Sequence, residues 1–221
     1  LSTPISGTPD SPPFLPARES RLFITVFDLY CRWLFWRRFD SVRVETEYKP
    51  ADGQKTIYYL NHSSWWDGLI PFLLNEKYFH QNARGMMEDT QLNRYPFFRR
   101  MGVFSINLSS ARSSMQSLRY AIRSMDRPNA ALYIYPQGRI VPFSTDGLEF
   151  KKGIGWMAKK MPQIDLVPVG IYIHTKESDK PRLEINVGSN VSVSRNKPTN
   201  DINRRLEDEL SNLLQRMIKA D

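Results

Sequence analysis

Cysteine is almost absent from this sequence: Cys31 is the only one in 221 residues. With no second thiol, an intrachain disulfide and a cysteine-held metal cluster are both excluded, and the composition favours a cytoplasmic setting. Histidine is nearly as scarce. The three histidines, at positions 62, 80 and 174, show no His-x-x-x-His or comparable spacing, so a metal hydrolase has no support and no metal ligands are expected. There is no Gly-x-Ser-x-Gly elbow, and Cys31 lies far from any histidine motif, so no enzyme nucleophile is indicated. Long apolar runs are missing too. Asp28 and Arg32 break the most apolar stretch, Leu22 to Trp36, whereas a spanning helix needs about twenty apolar residues. The first twenty residues carry Pro4, Pro9, Pro12, Pro13 and Pro16, without the basic start and apolar core of a signal peptide. They read as an extended lead-in to an unsecreted chain.

What is present suits one globular domain: 41% of residues are hydrophobic and 24% charged, enough for a single sizeable core. The formal charge of +8 predicts a face that attracts anions, whether phospholipid, phosphorylated substrate or nucleic acid. A nucleic-acid module is the competing reading from another class. The basic residues are scattered, however, and no zinc-finger spacing or RNP-type aromatic strand is found, so no nucleic-acid partner is expected.

From Arg21 to Arg38, apolar Phe23, Val26, Phe27, Tyr30 and Leu34 recur at steps of three and four, which predicts an amphipathic helix within residues 21–40. Trp33, Trp36 and the neighbouring arginines suit a helix lying in a lipid interface; packing on its own domain is the alternative. Residues 41–221 then alternate. Strands are predicted at Val42 to Thr46, Thr56 to Leu60, Val103 to Asn107, Ala131 to Tyr135, Leu166 to Ile173 and Leu183 to Val187. Helices are predicted at Trp66 to Asn75, Thr90 to Met101, Ser110 to Met125, Lys152 to Met161 and from Thr199 or Asn200 onward. The last carries Ile202, Leu206, Leu210, Leu213, Leu214 and Met217 on one face. Such alternation predicts an α/β fold, a single domain with a mixed, mostly parallel sheet flanked by helices.

The most informative segment is Asn61-His62-Ser63-Ser64-Trp65-Trp66-Asp67-Gly68, directly after a predicted strand and before a predicted helix. Open α/β sheets place ligands at such carboxyl strand ends. An aspartate five places after a histidine can hold its Nδ1–H while Nε2 accepts a proton, which makes His62 a candidate general base oriented by Asp67. The spacing alone occurs readily by chance, and His174 with Asp179 repeats it. That second pair follows Ile173 rather than an asparagine and sits in the charged stretch Thr175-Lys176-Glu177-Ser178, so His174 reads as a solvated loop residue.

With Asn61 included, the segment resembles the first motif, Asn-His-x-x-x-x-Asp, of the glycerolipid acyltransferase family. Pro96-Phe97-Phe98 and Gly102 to Leu108 resemble its second, with Leu108 where an arginine is expected and Arg112 one turn later as a substitute. Tyr135-Pro136-Gln137-Gly138-Arg139 resembles the third, Phe-Pro-Glu-Gly-Thr-Arg, with Gln137 for glutamate and Arg139 one place early. Val167-Pro168-Val169-Gly170-Ile171 resembles the fourth, and the order and spacing agree from Asn61 to Ile171.

The resemblance implies direct transfer of a fatty acyl group from acyl-CoA or acyl carrier protein to a lipid hydroxyl, with His62 as base, Asp67 as its orienter and no bound cofactor. Asn61, Ser64, Trp65, Arg112, Gln137, Gly138, Arg139 and Lys152 become candidates for substrate binding, Lys152 for the phosphates of coenzyme A or the acidic face of acyl carrier protein. Lys151 reads as solvated. Of Trp65 and Trp66, one is expected to line a substrate channel and the other to be core. Glutamine for glutamate removes a negative charge and keeps a polar amide, which points to an unusual acceptor such as a glycosylated lipid. The expected location is the cytoplasmic face of an anionic membrane, peripheral or monotopic. A catalytically inactive lipid-binding relative is the alternative, against which stand both His62 and Asp67.

Overall fold

The computed structural model describes residues 13–175 and 179–219. The early prolines up to Pro12, and Lys176, Glu177 and Ser178, lie outside them. The chain forms a single α/β domain built on a seven-stranded sheet in the order β1-β7-β6-β2-β5-β3-β4. The strands are β1 (Ser41–Thr46), β2 (Thr56–Leu60), β3 (Asn82–Glu88), β4 (Val103–Ile106), β5 (Ala130–Ile134), β6 (Asp165–His174) and β7 (Arg182–Val187). Neighbours run parallel except β6 and β7, so the sheet is mixed and mostly parallel, as expected.

At the centre lies β2, whose five residues Thr-Ile-Tyr-Tyr-Leu are all buried. Ile57 and Tyr59 face one core layer, Tyr58 and Leu60 the other, because successive strand residues point to opposite faces. Covering both faces is what a central parallel strand requires. The first layer is closed by α4 (Ala111–Ser124), α5 (Gly153–Lys160) and α6 (Thr199–Lys219), and the second by α1 (Arg21–Arg38) and α2 (Ile70–Leu74). The predicted apolar face of α6 is buried along its whole length. At Gly170 the helix crosses β6 so closely that a Cβ would lie 2.6 Å from Met217 Sδ. A side chain there would require Met217 and Leu214 to give way.

Two predicted helices are broken. Pro96 disfavours helical backbone at the residue before it, and Tyr95 leaves the helical region, so α3 (Asp89–Arg94) ends and a 3-10 turn, Pro96–Met101, follows. The segment after the first motif is likewise a 3-10 turn, Trp65–Leu69, then α2, then a π turn, Asn75–Phe79. Strand β3 was not predicted: Asn-Ala-Arg-Gly-Met-Met-Glu contains no β-branched or aromatic residue. It is a strand because β4 and β5 supply backbone partners on both sides.

Helix α1 has the predicted ends, Ser20 capping the first turn through Phe23 N–H at 3.4 Å, but not the predicted faces. Cys31 and Phe35 are buried, with Ile24, Phe27 and Leu34 packed beside them. Val26 and Tyr30, members of the predicted apolar stripe, are exposed. The exposed side carries Leu22, Val26, Leu29, Trp33 and Trp36, a second apolar stripe at steps of three and four. Among the described residues no helix is long and apolar enough to cross a membrane.

Candidate active site

His62 and its motif leave the sheet at the carboxyl end of β2, between the carboxyl ends of β5 and β6. The following 3-10 turn brings the chain back, so that Asp67, fully buried, lies beneath the histidine. Its Oδ2 is 3.0 Å from His62 Nδ1 and accepts the backbone N–H groups of Ser63 at 2.6 Å and Ser64 at 2.8 Å. Oδ1 accepts the Ser64 hydroxyl at 2.6 Å. With a carboxylate as its partner Nδ1 carries the proton, which leaves Nε2 as an acceptor.

The other motifs hold this pair in place. Gln137 Oε1 accepts the His62 backbone N–H at 2.9 Å, and Val141 N–H donates to the His62 carbonyl at 2.9 Å, so both backbone groups of the histidine are tied to the segment after β5. Asn61 donates from Nδ2 to Ile171 O at 2.9 Å and accepts Ile171 N–H on Oδ1 at 2.8 Å. Its amide thus fastens the motif to β6, and Asn61 also lines a polar cavity beside His62. Ser64 is similarly engaged with Asp67. Tyr135 was not foreseen as a site residue. Its ring lies 4.4 Å from the His62 ring at 31°, and its hydroxyl donates to the Asp67 carbonyl. Burial and the nearby Asp67 carboxylate push the Tyr135 phenol well above its ordinary pKa, so the hydroxyl remains a donor.

Two cavities meet at His62. One, of about 840 Å³, is mostly apolar and runs between Trp65, Phe72, Met86, Phe98, Ile134 and Met157. The other, of about 670 Å³, is predominantly polar and lies between the motif and the 141–151 segment. His62, Arg139 and Lys151 line both. Trp65 lines the first and is 53% exposed, whereas Trp66 packs edge-on against Phe39 at 5.2 Å, which settles which indole is core. Gly138 takes a left-handed turn at φ 69° and lines the first cavity, where a Cβ would come 3.2 Å from Leu108 Cδ1. Gln137 lines the second.

Arg112 and Lys152 are not brought to the site. Arg112 is exposed in the first turn of α4, Lys152 is exposed just before α5, and neither lines either of these two cavities. The lysine at the cavities is Lys151, the one expected to be merely solvated; its backbone N–H is held by Pro136 O at 2.7 Å. The polar lining from Ser144, Asp146 and Glu149 was also missed, since it belongs to a loop without a motif. His174 is not a solvated loop residue. It ends β6, is buried, and its Nε2 lies 3.1 Å from Glu184.

Cys31 is buried against the domain, where desolvation and Asp28 push its thiol up to about 12, so it offers no thiolate. Among the described residues no three His, Cys, Asp or Glu side chains gather as metal ligands. A family model described as Acyltransferase matches residues 41–172. No curated protein is similar enough to the chain to count as a match.

Proposed function

The chain belongs to the acyltransferase family, and we propose on that premise that it transfers a fatty acyl group from an acyl thioester to a hydroxyl of a lipid, with His62 as general base. One observation carries the reading: His62 is held from below by buried Asp67 at 3.0 Å, with Nε2 unengaged among the described residues at the junction of an apolar and a polar cavity. In this reading the apolar cavity takes the acyl chain of acyl-CoA or acyl carrier protein, and the polar one takes the acceptor headgroup. Nε2 removes the hydroxyl proton as the oxygen attacks the thioester carbonyl, and Asp67 steadies the imidazolium that results. When the tetrahedral intermediate collapses, the thiolate leaves and recovers that proton from His62. The products are an ester and a thiol. No covalent enzyme intermediate is needed, consistent with the inert Cys31.

The same reading makes the protein peripheral to a membrane. The stripe Leu22, Val26, Leu29, Trp33 and Trp36 on α1 is exposed, with Leu22 at 77% and Trp36 at 75%. It is accompanied by Arg21, Arg32, Arg37 and Arg38. Indole at headgroup depth beside guanidinium groups facing phosphates is the pattern of an interfacial helix, here on an anionic lipid surface.

The test of the central reading is incubation of the purified protein with labelled acyl-CoA and a total lipid extract, followed by mass spectrometry of the acylated product. His62→Ala should lower transfer by about 10²–10⁴ with the fold retained, as expected on loss of a general base. Transfer by this variant near the wild-type rate would refute the reading.

A further inference from the structure

Resting on that reading, we infer that the acceptor carries an uncharged, polyhydroxylated headgroup, a sugar or a cyclitol, and that the Gln137 amide N–H group selects it in the polar cavity. Three observations converge. Gln137 is only 7% exposed, lines the cavity and has its Oε1 occupied by the His62 N–H. Its Nε2 hydrogens have no acceptor among the described residues. A molecule that fills the cavity takes water away from this solvent-facing amide and has to offer an oxygen in its place, since a donor left unpaired is costly.

The charge in the cavity gives the second observation. Its lining contains Arg139 and Lys151 but also Asp146 and Glu149. The two cations and two carboxylates cancel, so the cavity sets up no strong field for a dianionic phosphate. Mixed donors and acceptors around an aliphatic and aromatic floor, such as Leu148 and Phe143, suit a ring bearing several hydroxyls.

The third is the lack of a phosphate clamp. Leu108, where the resemblance would put an arginine, presents its methyl group to Gly138 and lines the apolar cavity. Arg112, the candidate substitute, is exposed and away from both cavities. In the polar cavity a phosphate monoester would find no forked guanidinium beyond Arg139, and the two carboxylates there would oppose it. A hydroxylated ring meets neither obstacle. One of its hydroxyls reaches His62 Nε2, while another oxygen accepts from Gln137.

The experiment compares two acceptors with the same purified full chain in mixed micelles, using radiolabelled palmitoyl-CoA: a monoglucosyl diacylglycerol and lysophosphatidic acid. We expect the glucosyl lipid to be acylated on its sugar with kcat/KM at least about tenfold above that for lysophosphatidic acid. Gln137→Glu keeps an acceptor for the His62 N–H and removes the donor. Set against monoacylglycerol, an uncharged acceptor without a ring, it should lower the ratio of the glucosyl lipid's kcat/KM to that of this control by about fivefold to tenfold, the effect of losing one hydrogen bond to the ring. Because the ratio is taken within each protein, an unfolded fraction cancels. Preference of the wild type for lysophosphatidic acid, or an unchanged ratio in Gln137→Glu, overturns the inference and leaves acyl transfer standing. Acylation of neither lipid, with the donor unconsumed in the total lipid extract as well, overturns both.

Discussion

Replacing Asp67 by asparagine separates the charge of the pair from its geometry. Three donors converge on Oδ2, the His62 Nδ1–H and the backbone N–H groups of Ser63 and Ser64, whereas Oδ1 meets only the Ser64 hydroxyl. An asparagine can keep its oxygen where the three donors meet and turn its NH₂ toward Ser64, whose hydroxyl rotates to accept. The His62 tautomer then survives. What is lost is the attraction between carboxylate and imidazolium as the base takes its proton. At 3.0 Å this has a ceiling of about 5 kcal/mol for an effective dielectric constant near 20. The amide dipole retains part of it, so a loss of roughly 2–4 kcal/mol in the transition state is expected, or about 30- to 1,000-fold in kcat. Folding should lose only about 1–3 kcal/mol, from exchanging charge-assisted for neutral hydrogen bonds. Asp67→Ala should cost the fold more, because it leaves buried donors unpaired. Initial rates at saturating donor, read beside urea unfolding, decide the matter. A rate within about threefold of wild type in Asp67→Asn would show that the carboxylate charge is idle. Equal destabilisation by asparagine and alanine would refute the hydrogen-bond reasoning.

The remaining predictions concern the supports of the site and its lipid contact. Asn61→Leu removes both hydrogen bonds to Ile171 and should lower stability by about 2–5 kcal/mol in urea unfolding; a loss under about 1 kcal/mol would mean the clamp is dispensable. Trp33→Ser with Trp36→Ser alters exposed side chains only, so thermal stability should barely move. Binding to anionic vesicles in flotation should fall by at least about tenfold, and unchanged flotation would remove α1 as the anchor.

Much of this architecture is legible in the sequence because burial imposes periodicity. The apolar face of α6, the ends of α1 and the fully buried strands β2 and β5 can be read from residue type and spacing. The elements that escape reading take their form from partners distant in the chain. Polar, glycine-containing β3 is held by β4 and β5, and the double apolar character of α1 becomes visible only once one side is covered. At the site, the motif order is legible, but the chain does not announce that the motifs are joined by hydrogen bonds. Gln137 and Asn61 look like residues that meet substrate, and nothing in the sequence shows that the first also holds the backbone of His62 and the second also holds Ile171. Lys151 and Lys152 differ only in which side of the turn before α5 they leave, a distinction no composition carries.

The histidine pairs show why spacing underdetermines such a site. His62 and His174 each precede an aspartate by five residues. His62 lies beyond the end of β2, where the backbone is free to turn, and the 3-10 turn at Trp65–Leu69 carries Asp67 back under its ring. His174 still belongs to β6 and is paired across the ladder with Arg182, so its ring is directed along the sheet surface to Glu184, and Asp179 is exposed. The determining feature is thus the residue at which the strand stops. For His62 that stop is enforced by Asn61, whose amide ties the start of the motif to β6 and releases the next residue from the sheet. An asparagine before the histidine is informative because it ends the ladder there, whether or not it ever meets a substrate.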